Sequence, residues 1–297
     1  MSTVSVALSS TAAARQAAAD YLELTKPKVQ SLLLLTTVTT MEVAGRPSVG
    51  RIALTCLGGY LSAGGAGAIN HCLDRDIDAR MRRTSRRPIP AGRVSPRAAL
   101  LYGFSLGSLS FVLLATCVNL LAAVLALCGF VGYVGVYTLW LKRRTPQNIV
   151  IGGAAGAMPP LVGWAATRGS VSWTAVYLFA IVFYWTPPHF WALSLLMKDE
   201  YAQVGIPMMS VVRGERETRR QIVLYTLLLY AISQLPFCAG AFGGAYLAAS
   251  MLLGLAFIAG ALWLYRRADR VAALRLYLFS LAYLALLFGA MVADAKL

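Results

Sequence analysis

Nine long apolar runs are the feature that most constrains how this chain folds. A helix that crosses the hydrocarbon core of a bilayer needs about 20 mostly apolar residues, and each run approaches or exceeds that length. The runs lie near residues 28–45, 51–70, 98–117, 119–141, 147–167, 172–197, 221–242, 246–265 and 271–292. Runs of this length favour helices, which satisfy their own backbone polar groups in lipid. The sequence therefore predicts an all-α polytopic membrane helix bundle of about nine transmembrane helices around a central cavity.

The number of transmembrane helices has one alternative. The third and fourth runs are almost continuous and are hinged at Cys117-Val118-Asn119, so eight spans is the other possible count. Residues 1–20 are rich in Ala and Ser, have Arg15 as their one basic residue, and lack the charged start and apolar core of a signal peptide. We expect residues 1–20 to be a cytoplasmic tail and residues 21–297 to be a single transmembrane domain.

The net charge of +15 is distributed unevenly along the chain. With the N-terminus inside, the cytoplasmic segments hold 23 of the 27 basic residues and the opposite side holds 4. This split follows the positive-inside rule, which accounts for most of the net charge without a nucleic-acid partner. It predicts that the long polar loops 71–97 and 198–220 face the cytoplasm. The five cysteines have no C-x-x-C spacing, so neither a disulfide framework nor structural zinc is expected.

A cluster of acids follows the second run. Asn70, Asp74 and Asp78 are spaced four residues apart, so on a helix they form one polar stripe, with Asp76 on the other side. Clustered carboxylates repel one another unless cations neutralise them, and hard oxygen donors suit Mg²⁺. The alternative is a solvated loop in which the acids pair with the arginines that follow. Those that could pair with Asp76 are Arg75, Arg80, Arg82 and Arg83.

Basic residues accompany the acids. Guanidinium groups bind phosphate oxygens with two parallel hydrogen bonds. Four arginines followed by a Pro- and Gly-containing turn favour a diphosphate site on the rim of the apolar cavity; they are Arg82, Arg83, Arg86 and Arg87. A second cluster, Lys142, Arg143 and Arg144, precedes Asn148 and a helix rich in Gly and Ala. The alternatives are positive-inside loops for the basic residues and close helix packing for the small ones.

The sixth run contains Trp185-Thr186-Pro187-Pro188-His189-Phe190-Trp191. Two prolines remove two backbone donors, so we expect the helix to kink and to line a cavity there. A lone histidine in an apolar run is usually a packing residue, but the double proline and the flanking tryptophans favour a function for His189. We expect His71 to lie at the polar rim, where it could be an ordinary loop residue.

These motifs resemble the UbiA-type intramembrane prenyltransferases, and within that family the branch that farnesylates haem. The resemblance is carried by Thr25-Lys26-Pro27-Lys28, Asn70-x-x-x-Asp74-x-x-x-Asp78, Arg83-Thr84 through Arg87-Pro88-Ile89-Pro90-Ala91-Gly92, Lys142 through Gly153, and Pro187 through Leu193. The quinone-prenylating relatives usually have an Asp after the Asn and a second D-x-x-x-D. Here those places are His71 and, in the second motif, Met197 and Tyr201, with Asp199 and Glu200 offset.

The resemblance implies an activity and a set of roles. Farnesyl would pass from farnesyl diphosphate to a vinyl group of haem b, with Mg²⁺ as cofactor, in the bilayer of a bacterial cytoplasmic (inner) membrane, with a haem A synthase as a downstream partner. Alternatives are a relative acting on a quinone or chlorophyll precursor, and a secondary transporter. The implied catalytic residues are Asp74, Asp78, Lys142 and His189; the metal ligands are Asn70, Asp74, Asp78 and Asp199. Substrate contacts are implied for Lys26, Asn70, Arg83, Arg87, Arg143, Asn148, Trp185, Trp191, Lys198 and Tyr201.

Overall fold

The computed structural model describes residues 2–297, with side chains from residue 13 onward, and all regular structure in this part of the chain is helical. The helices are α1 (Ser2–Leu24), α2 (Pro27–Ala44), α3 (Val49–Leu73), α4 (Arg75–Arg80), α5 (Pro96–Cys117), α6 (Leu120–Val131, continued by a π-helix over Gly132–Leu141), α7 (Asn148–Gly156), α8 (Met158–Arg168), α9 (Trp173–Leu196), α10 (Lys198–Gln203), α11 (Met209–Val212), α12 (Gly214–Cys238), α13 (Gly244–Arg267) and α14 (Arg270–Asp294). The predicted tail is helical from Ser2 onward and forms most of α1. Its cytoplasmic location stays a prediction.

Nine long helical segments in the described chain correspond to the nine predicted apolar runs, when α6 is taken with its π-helical extension and α7 with α8. Seven of these segments are long and apolar enough to cross a membrane by length and composition. The other two are α2, which has Lys28 and Glu42 among its 18 residues, and α9, which has Pro187, Pro188 and His189 in its interior. The all-α membrane architecture is confirmed, and the count of nine is approximate.

The hinge between the third and fourth runs is a true helix end. Helix α5 ends at Cys117, and the Asn119 side chain accepts a hydrogen bond from the Ala122 N–H (2.8 Å), which caps α6. An Asn cap satisfies one of the backbone donors that a helix start leaves unpaired. The two runs are therefore separate helices, as nine spans require.

Small residues let α3 and α5 approach closely in the first half of the bundle. A Cβ atom added at Gly65 would lie 2.5 Å from the Gly103 carbonyl oxygen, so the two backbones are in direct contact there. Close backbone approach of this kind is a common way for helices to associate in lipid, where burial of apolar surface contributes little. This contact fixes the position of α3, which carries the acidic stripe at its end.

The second half of the bundle has a core of large side chains. Tyr246, Phe257, Tyr283 and Phe288 are fully buried where α9, α12, α13 and α14 pack together. The halves meet where α14 packs on α2 and α7 packs on α9. A long helix followed after one residue by a six-residue helix occurs in each half, as α3 with α4 and as α9 with α10. This repeat matches the equivalence of the second and sixth helices that the sequence hinted at.

The double proline lies in the interior of the sixth helix. Helix α9 is continuous from Trp173 to Leu196 across Pro187 and Pro188, so the helix does not break there, and the expected kink stays a prediction. Each proline removes a backbone donor, and its ring crowds the carbonyl four residues earlier. The Thr186 hydroxyl donates to the Val182 carbonyl (2.9 Å) and supplies one extra hydrogen bond beside the prolines. Side-chain hydroxyls of this kind help proline to be tolerated in membrane helices.

Candidate active site

The acidic stripe crosses the junction between α3 and α4 without losing helical spacing. The Asp74 N–H donates to the Asn70 carbonyl (2.9 Å), and the Asp78 N–H donates to the Asp74 carbonyl (2.8 Å). Residues bonded in this way lie one above another on the same face. Asn70, Asp74 and Asp78 are therefore brought together, and all three are buried, with at most 4% of each residue exposed.

Each buried aspartate has a cation from elsewhere in the chain. Lys142 donates to Oδ2 of Asp74, which also accepts from the Asn70 amide (2.7 Å). Arg87 donates to Oδ2 of Asp78 (2.7 Å). Buried carboxylates are costly unless they are paired, so these two cations account for the burial of the acids. The other oxygen of Asp74, Oδ1, is buried and accepts no hydrogen bond within the described residues, although the Arg143 guanidinium lies 3.7 Å from it.

The π-helix over Gly132–Leu141 positions two polar groups against the stripe. The Lys142 N–H donates to the carbonyl of Tyr137, five residues earlier (2.9 Å), and the Thr138 hydroxyl donates to the Tyr133 carbonyl (2.8 Å). The Thr138 hydroxyl oxygen then accepts from the Asn70 amide (3.2 Å). π-Helical turns are rare and are frequent at functional sites. Here the wider turn brings Thr138 and Lys142 to the end of α3.

Lys26 reaches the stripe from a strained backbone position between α1 and α2. Its φ of 55° lies in the left-handed region, which side chains other than Gly seldom adopt. Its ammonium donates to Oδ1 of Asn70 (2.5 Å) and to the Tyr133 hydroxyl (3.2 Å). The α3 helix leaves room for this turn at Gly67, where an added Cβ would lie 3.1 Å from the Leu24 carbonyl oxygen. Strain of this kind collects at functional sites.

Asp76 lies outside the buried cluster, as the helical spacing predicts, but its partner is not the expected one. Arg143 donates to both of its carboxylate oxygens (2.7 and 2.9 Å). These hydrogen bonds hold the pKa of Asp76 below its usual value. Of the arginines expected here, Arg75 donates instead to the Cys72 carbonyl and Arg80 to the Asp76 backbone carbonyl. The prediction of a local pair was wrong because the π-helix brings Arg143 across the site.

An apolar cavity of about 200 Å³ adjoins the polar cluster. Lys26, Gln30 and Tyr133 form its polar end, so its floor reaches the residues that contact Asn70. Side chains from α2, α3, α6 and α8 form its apolar walls, among them Leu33, Leu34, Ala63, Phe130, Met158 and Val162. An elongated hydrocarbon with a charged end fits the chemistry of this space.

The second predicted part of the metal site is not brought to the stripe. Asp199 is exposed and lines a separate polar cavity with Lys198 and Glu215, and Lys198 donates to Glu215 (3.0 Å). Within the described residues, no three His, Cys, Asp or Glu side chains form a group that could hold a metal. Tyr201 is buried in a different cluster with Ile77. Residues two apart on a helix point in nearly opposite directions, so α10 cannot present Asp199 and Tyr201 to one ligand.

The aromatic residues of α9 divide between two neighbours. His189 stacks between Trp185 (ring centroids 4.2 Å apart) and Tyr277 (4.9 Å), and its Nδ1 lies 2.7 Å from the Ser280 hydroxyl. Trp191 is buried instead against Tyr225 of α12. In the described chain none of these α9 side chains lines the apolar cavity beside Lys26. His189 and Trp185 therefore face α14, and any site they form is distinct from that cavity.

Two further predicted contacts have different surroundings. Arg83 is exposed in the loop after α4. Asn148 is fully buried at the start of α7, where its amide donates to the Thr145 carbonyl (2.6 Å) while its Oδ1 has no hydrogen-bond partner in the described chain.

Sequence reasoning missed several residues of the cluster. Tyr133 and Thr138 carry no motif of their own, and the π-helical geometry brings Tyr133 to Lys26 and Thr138 to Asn70. His71 was placed at the polar rim, but it belongs to α3 and is 2% exposed. Its position next to Asn70 in the motif was the one available signal.

Comparisons with known proteins agree with this geometry. The UbiA prenyltransferase family model matches residues 32–287. Protoheme IX farnesyltransferase from Chloroflexus aurantiacus is 55% identical over 94% of this chain, which spans 48% of that relative, so the chain covers about half the length of the first curated relatives that it matches. The protein of the same name from Symbiobacterium thermophilum is 52% identical over 94% of this chain and 95% of its own length.

Solved structures share the fold at low identity. Digeranylgeranylglyceryl phosphate synthase has a TM-score of 0.78 and 19% identity, covering 95% of this chain and 100% of its own. A UbiA homolog from Archaeoglobus fulgidus bound to DMAPP and Mg²⁺ has a TM-score of 0.66 and 17% identity, covering 92% of this chain and 99% of its own. With its apolar helices, its buried polar cluster and these relatives, this chain is an integral membrane protein that belongs to the UbiA prenyltransferase family.

Proposed function

We propose that this protein transfers farnesyl from farnesyl diphosphate to a vinyl group of haem b, giving haem O and pyrophosphate. The observation that carries the proposal is the position of a buried, cation-paired acidic stripe at the polar end of an apolar cavity. The choice of acceptor is supported by relatives that are 50–56% identical and share the name protoheme IX farnesyltransferase.

The donor substrate has two ends, and the site offers a matching environment for each. The prenyl chain would lie in the apolar cavity between α2, α3 and α8. The diphosphate would lie at its polar end, where Lys26, Lys142 and Arg87 already converge on Asn70, Asp74 and Asp78. Arg83 and Arg143 stand at the exposed edge of this cluster, where they can meet the diphosphate as it enters. Lysine and arginine bind phosphate oxygens by charge-assisted hydrogen bonds.

The residues present fit Mg²⁺. Oδ1 of Asp74 is buried and accepts no hydrogen bond in the described chain, and Asn70, Asp74 and Asp78 supply only hard oxygen donors on one face. When bound, Mg²⁺ supplies positive charge that stabilises the diphosphate leaving group. Asp199 does not join these ligands, so we assign the metal to the stripe alone. The homolog bound to DMAPP and Mg²⁺ supports this assignment by its shared fold.

The residues of the cluster act on the leaving group. The C1–O bond of farnesyl breaks as the diphosphate departs with its electron pair, and the cations of Lys26, Lys142 and Arg87 stabilise the charge that develops there. A bond then forms between C1 and the terminal carbon of the vinyl group. Water adds to the other vinyl carbon and loses a proton, giving the hydroxyethylfarnesyl side chain. The apolar walls limit the number of water molecules that reach the carbocation before this step.

The haem site is proposed around α9 and α14. The Ser280 hydroxyl donates to the Tyr277 carbonyl (2.6 Å), so its oxygen accepts from Nδ1–H of His189. This assigns the proton to Nδ1 and leaves the lone pair of Nε2 for the haem iron, an arrangement in which a second hydrogen bond orients the ligand. Trp185 stacks on the imidazole and would contact the macrocycle. Buried Asn148 is the further proposed acceptor contact, and Tyr201 is proposed to lie near the diphosphate. Trp191 packs against Tyr225 and Lys198 pairs with Glu215, so neither is assigned a substrate contact.

The proposed location is a bacterial cytoplasmic membrane, with the N-terminus and the loops 71–97 and 198–220 on the cytoplasmic side. The support is the charge split, together with ion pairs that place loop 71–97 and residues 142–144 at one end of the bundle. Farnesyl diphosphate would then be taken from the cytoplasm, and the product would pass to a haem A synthase.

The proposal is tested with purified protein in lipid, farnesyl diphosphate, haem b and Mg²⁺. We expect a haem product heavier by one farnesyl group and one hydroxyl group, detected by mass spectrometry, and no product with Asp74→Asn. Prenylation of a quinone or chlorophyll precursor in place of haem would overturn the acceptor assignment. Failure to consume farnesyl diphosphate with any acceptor would overturn the activity itself.

A further inference from the structure

His71 is a buried polar residue without a partner. It lies on α3 directly after Asn70 and is 2% exposed, and neither of its ring nitrogens forms a hydrogen bond within the described residues. Buried polar groups in folded proteins are nearly always hydrogen-bonded, because an unpaired one loses the hydrogen bonds it made to water. An imidazole with two unpaired nitrogens therefore indicates a partner that arrives from outside the chain.

The ring faces the polar cluster. His71 lies one helical turn after Gly67. The aliphatic part of the Lys26 side chain packs over Gly67, where an added Cβ would lie 3.6 Å from the Lys26 Cγ and Cδ atoms. His71 also precedes Asp74 by three residues and Asp78 by seven, spacings that place side chains on one helix face. The charges of Lys26, Arg87 and Lys142 all act on the imidazole. His71 therefore lies within electrostatic range of three cations that would bind a diphosphate.

A metal-ligand role does not fit. His71, Asp74 and Asp78 share a face, yet no three such side chains in the described chain are arranged to hold a metal ion. Mg²⁺ also prefers oxygen donors over imidazole nitrogen. A packing role does not fit either, because a packing histidine would have a hydrogen-bond partner among its neighbours.

We propose that His71 donates a hydrogen bond to an oxygen of the substrate diphosphate, between Lys26 and Arg87. Every protonation state of imidazole near neutral pH has at least one N–H, so the donor is present in either tautomer. The second nitrogen accepts from a water molecule that enters with the diphosphate. This inference rests on the proposed function, of which it specifies the donor site.

The test compares His71→Leu, which removes both nitrogens, with His71→Gln, which keeps an N–H donor. Inorganic pyrophosphate with Mg²⁺ is the probe, and binding is measured by calorimetry and by the rise in thermal unfolding temperature. We expect His71→Leu to weaken pyrophosphate binding about tenfold or more, as for a lost hydrogen bond to a charged group, and to raise the KM for farnesyl diphosphate while leaving that for haem unchanged. His71→Gln should recover part of the affinity.

The unliganded protein provides the second readout. Because the imidazole is unpaired, His71→Leu should unfold at the wild-type temperature or above it. Cys72→Ala, at the next and equally buried position of α3, is the matched control and should bind pyrophosphate normally. Unchanged pyrophosphate affinity together with a lower unfolding temperature in His71→Leu would make His71 a core residue and overturn the inference.

The outcomes also separate this inference from the proposed function. If wild-type protein binds pyrophosphate through His71 but forms no farnesylated haem, the acceptor assignment fails and His71 keeps its role. If wild-type protein does not bind pyrophosphate with Mg²⁺ at all, the donor site and the role of His71 fail together.

Discussion

Lys142 and Asp74 are 68 residues apart in the sequence and form a buried ion pair that joins the π-helix to the end of α3. The lysine side chain is 14% exposed and the aspartate side chain 2%. The pair connects two parts of the chain and places a cation beside a buried carboxylate of the site. Mutation can separate the contribution of the ion pair to stability from its contribution to activity.

Lys142→Met should destabilise the protein by about 3 kcal/mol, because it removes the nearer cation from the buried Asp74 carboxylate and leaves only the Asn70 hydrogen bond and Arg143 at 3.7 Å. Thermal or denaturant unfolding in detergent measures the change. Adding Asp74→Asn removes the poorly compensated charge, so the double variant should recover much of the stability while remaining inactive. A double variant as unstable as Lys142→Met would show that the lysine stabilises the fold by packing and not by charge.

The acidic stripe should be required for turnover and not for folding. Asp74→Asn and Asp78→Asn should each lower kcat/KM roughly 100-fold or more, since each removes a carboxylate that would hold the Mg²⁺ that stabilises the leaving group. Asp76→Asn is the matched comparison, because Asp76 is exposed and pairs with Arg143, and it should lose less than about tenfold. Activity is followed across an Mg²⁺ titration. Full activity in either stripe variant, or activity indifferent to a chelator, would contradict the metal role.

The contact of α3 with α5 gives a prediction about stability. Gly65→Ala places a methyl group 2.5 Å from the Gly103 carbonyl oxygen and must separate the two helices, which should destabilise the fold by about 1–3 kcal/mol. Gly50→Ala on the same helix is the control, because its added Cβ would meet no neighbouring side chain or helix within 4 Å. This substitution should be neutral or slightly stabilising. Unfolding temperatures of the two variants in the same detergent test this. Equal stability of both would show that α3 and α5 are less tightly packed than the structure indicates.

Much of this architecture follows from the sequence alone. The length of the apolar runs fixes the number of long helices, because lipid leaves no other way to satisfy the backbone. The spacing of Asn70, Asp74 and Asp78 fixes their common face, since helical geometry is local. The partner of Asp76 could not be predicted in the same way, because Arg143 reaches it through a π-helix that no residue pattern indicates.

The orientation of α10 could not be predicted from the sequence. Asp199 is acidic and lies at the end of the equivalent helix, but the orientation of α10 depends on which of its side chains finds a buried neighbour. Tyr201 packs on Ile77, and Asp199 is consequently turned outward. The double proline of α9 predicts a kink from local rules, and α9 nevertheless stays one continuous helix. Contacts between distant residues decide the orientation of α10.

Topology is tested by labelling single cysteines with a membrane-impermeant maleimide, in a background without the five native cysteines. Arg86→Cys and Arg216→Cys should react from the cytoplasmic side, because both positions are exposed in the loops predicted to lie there. Ser210, in the same loop, is fully buried and unsuitable. Ser170→Cys, exposed between α8 and α9, should react from the opposite side. Labelling of Arg86→Cys or Arg216→Cys from the outer side would overturn the orientation.

The last prediction concerns His189, whose imidazole is held by Ser280 and stacked between Trp185 and Tyr277. If Nε2 binds the haem iron, His189→Ala should abolish the change that the haem absorption spectrum shows on binding to the protein. It should also abolish the formation of haem O. It should leave pyrophosphate binding with Mg²⁺ unchanged, because the acidic stripe lies on other helices. Ser280→Ala removes the acceptor that fixes the Nδ1–H tautomer and should weaken haem binding about tenfold, as for other hydrogen bonds that orient a metal ligand.

Asp74→Ala is the reciprocal control and should bind haem normally while failing to bind pyrophosphate with Mg²⁺. Thermal stability and the haem spectrum of Ser280→Ala and His189→Ala distinguish iron ligation from packing. A packing role predicts equal losses of thermal stability in the two variants and no change in the haem spectrum of either. Wild-type turnover and an unchanged spectrum in His189→Ala would move the search for the haem site to Asn148, whose buried Oδ1 has no partner in the described chain, and to the Gly- and Ala-rich α7 helix that begins there.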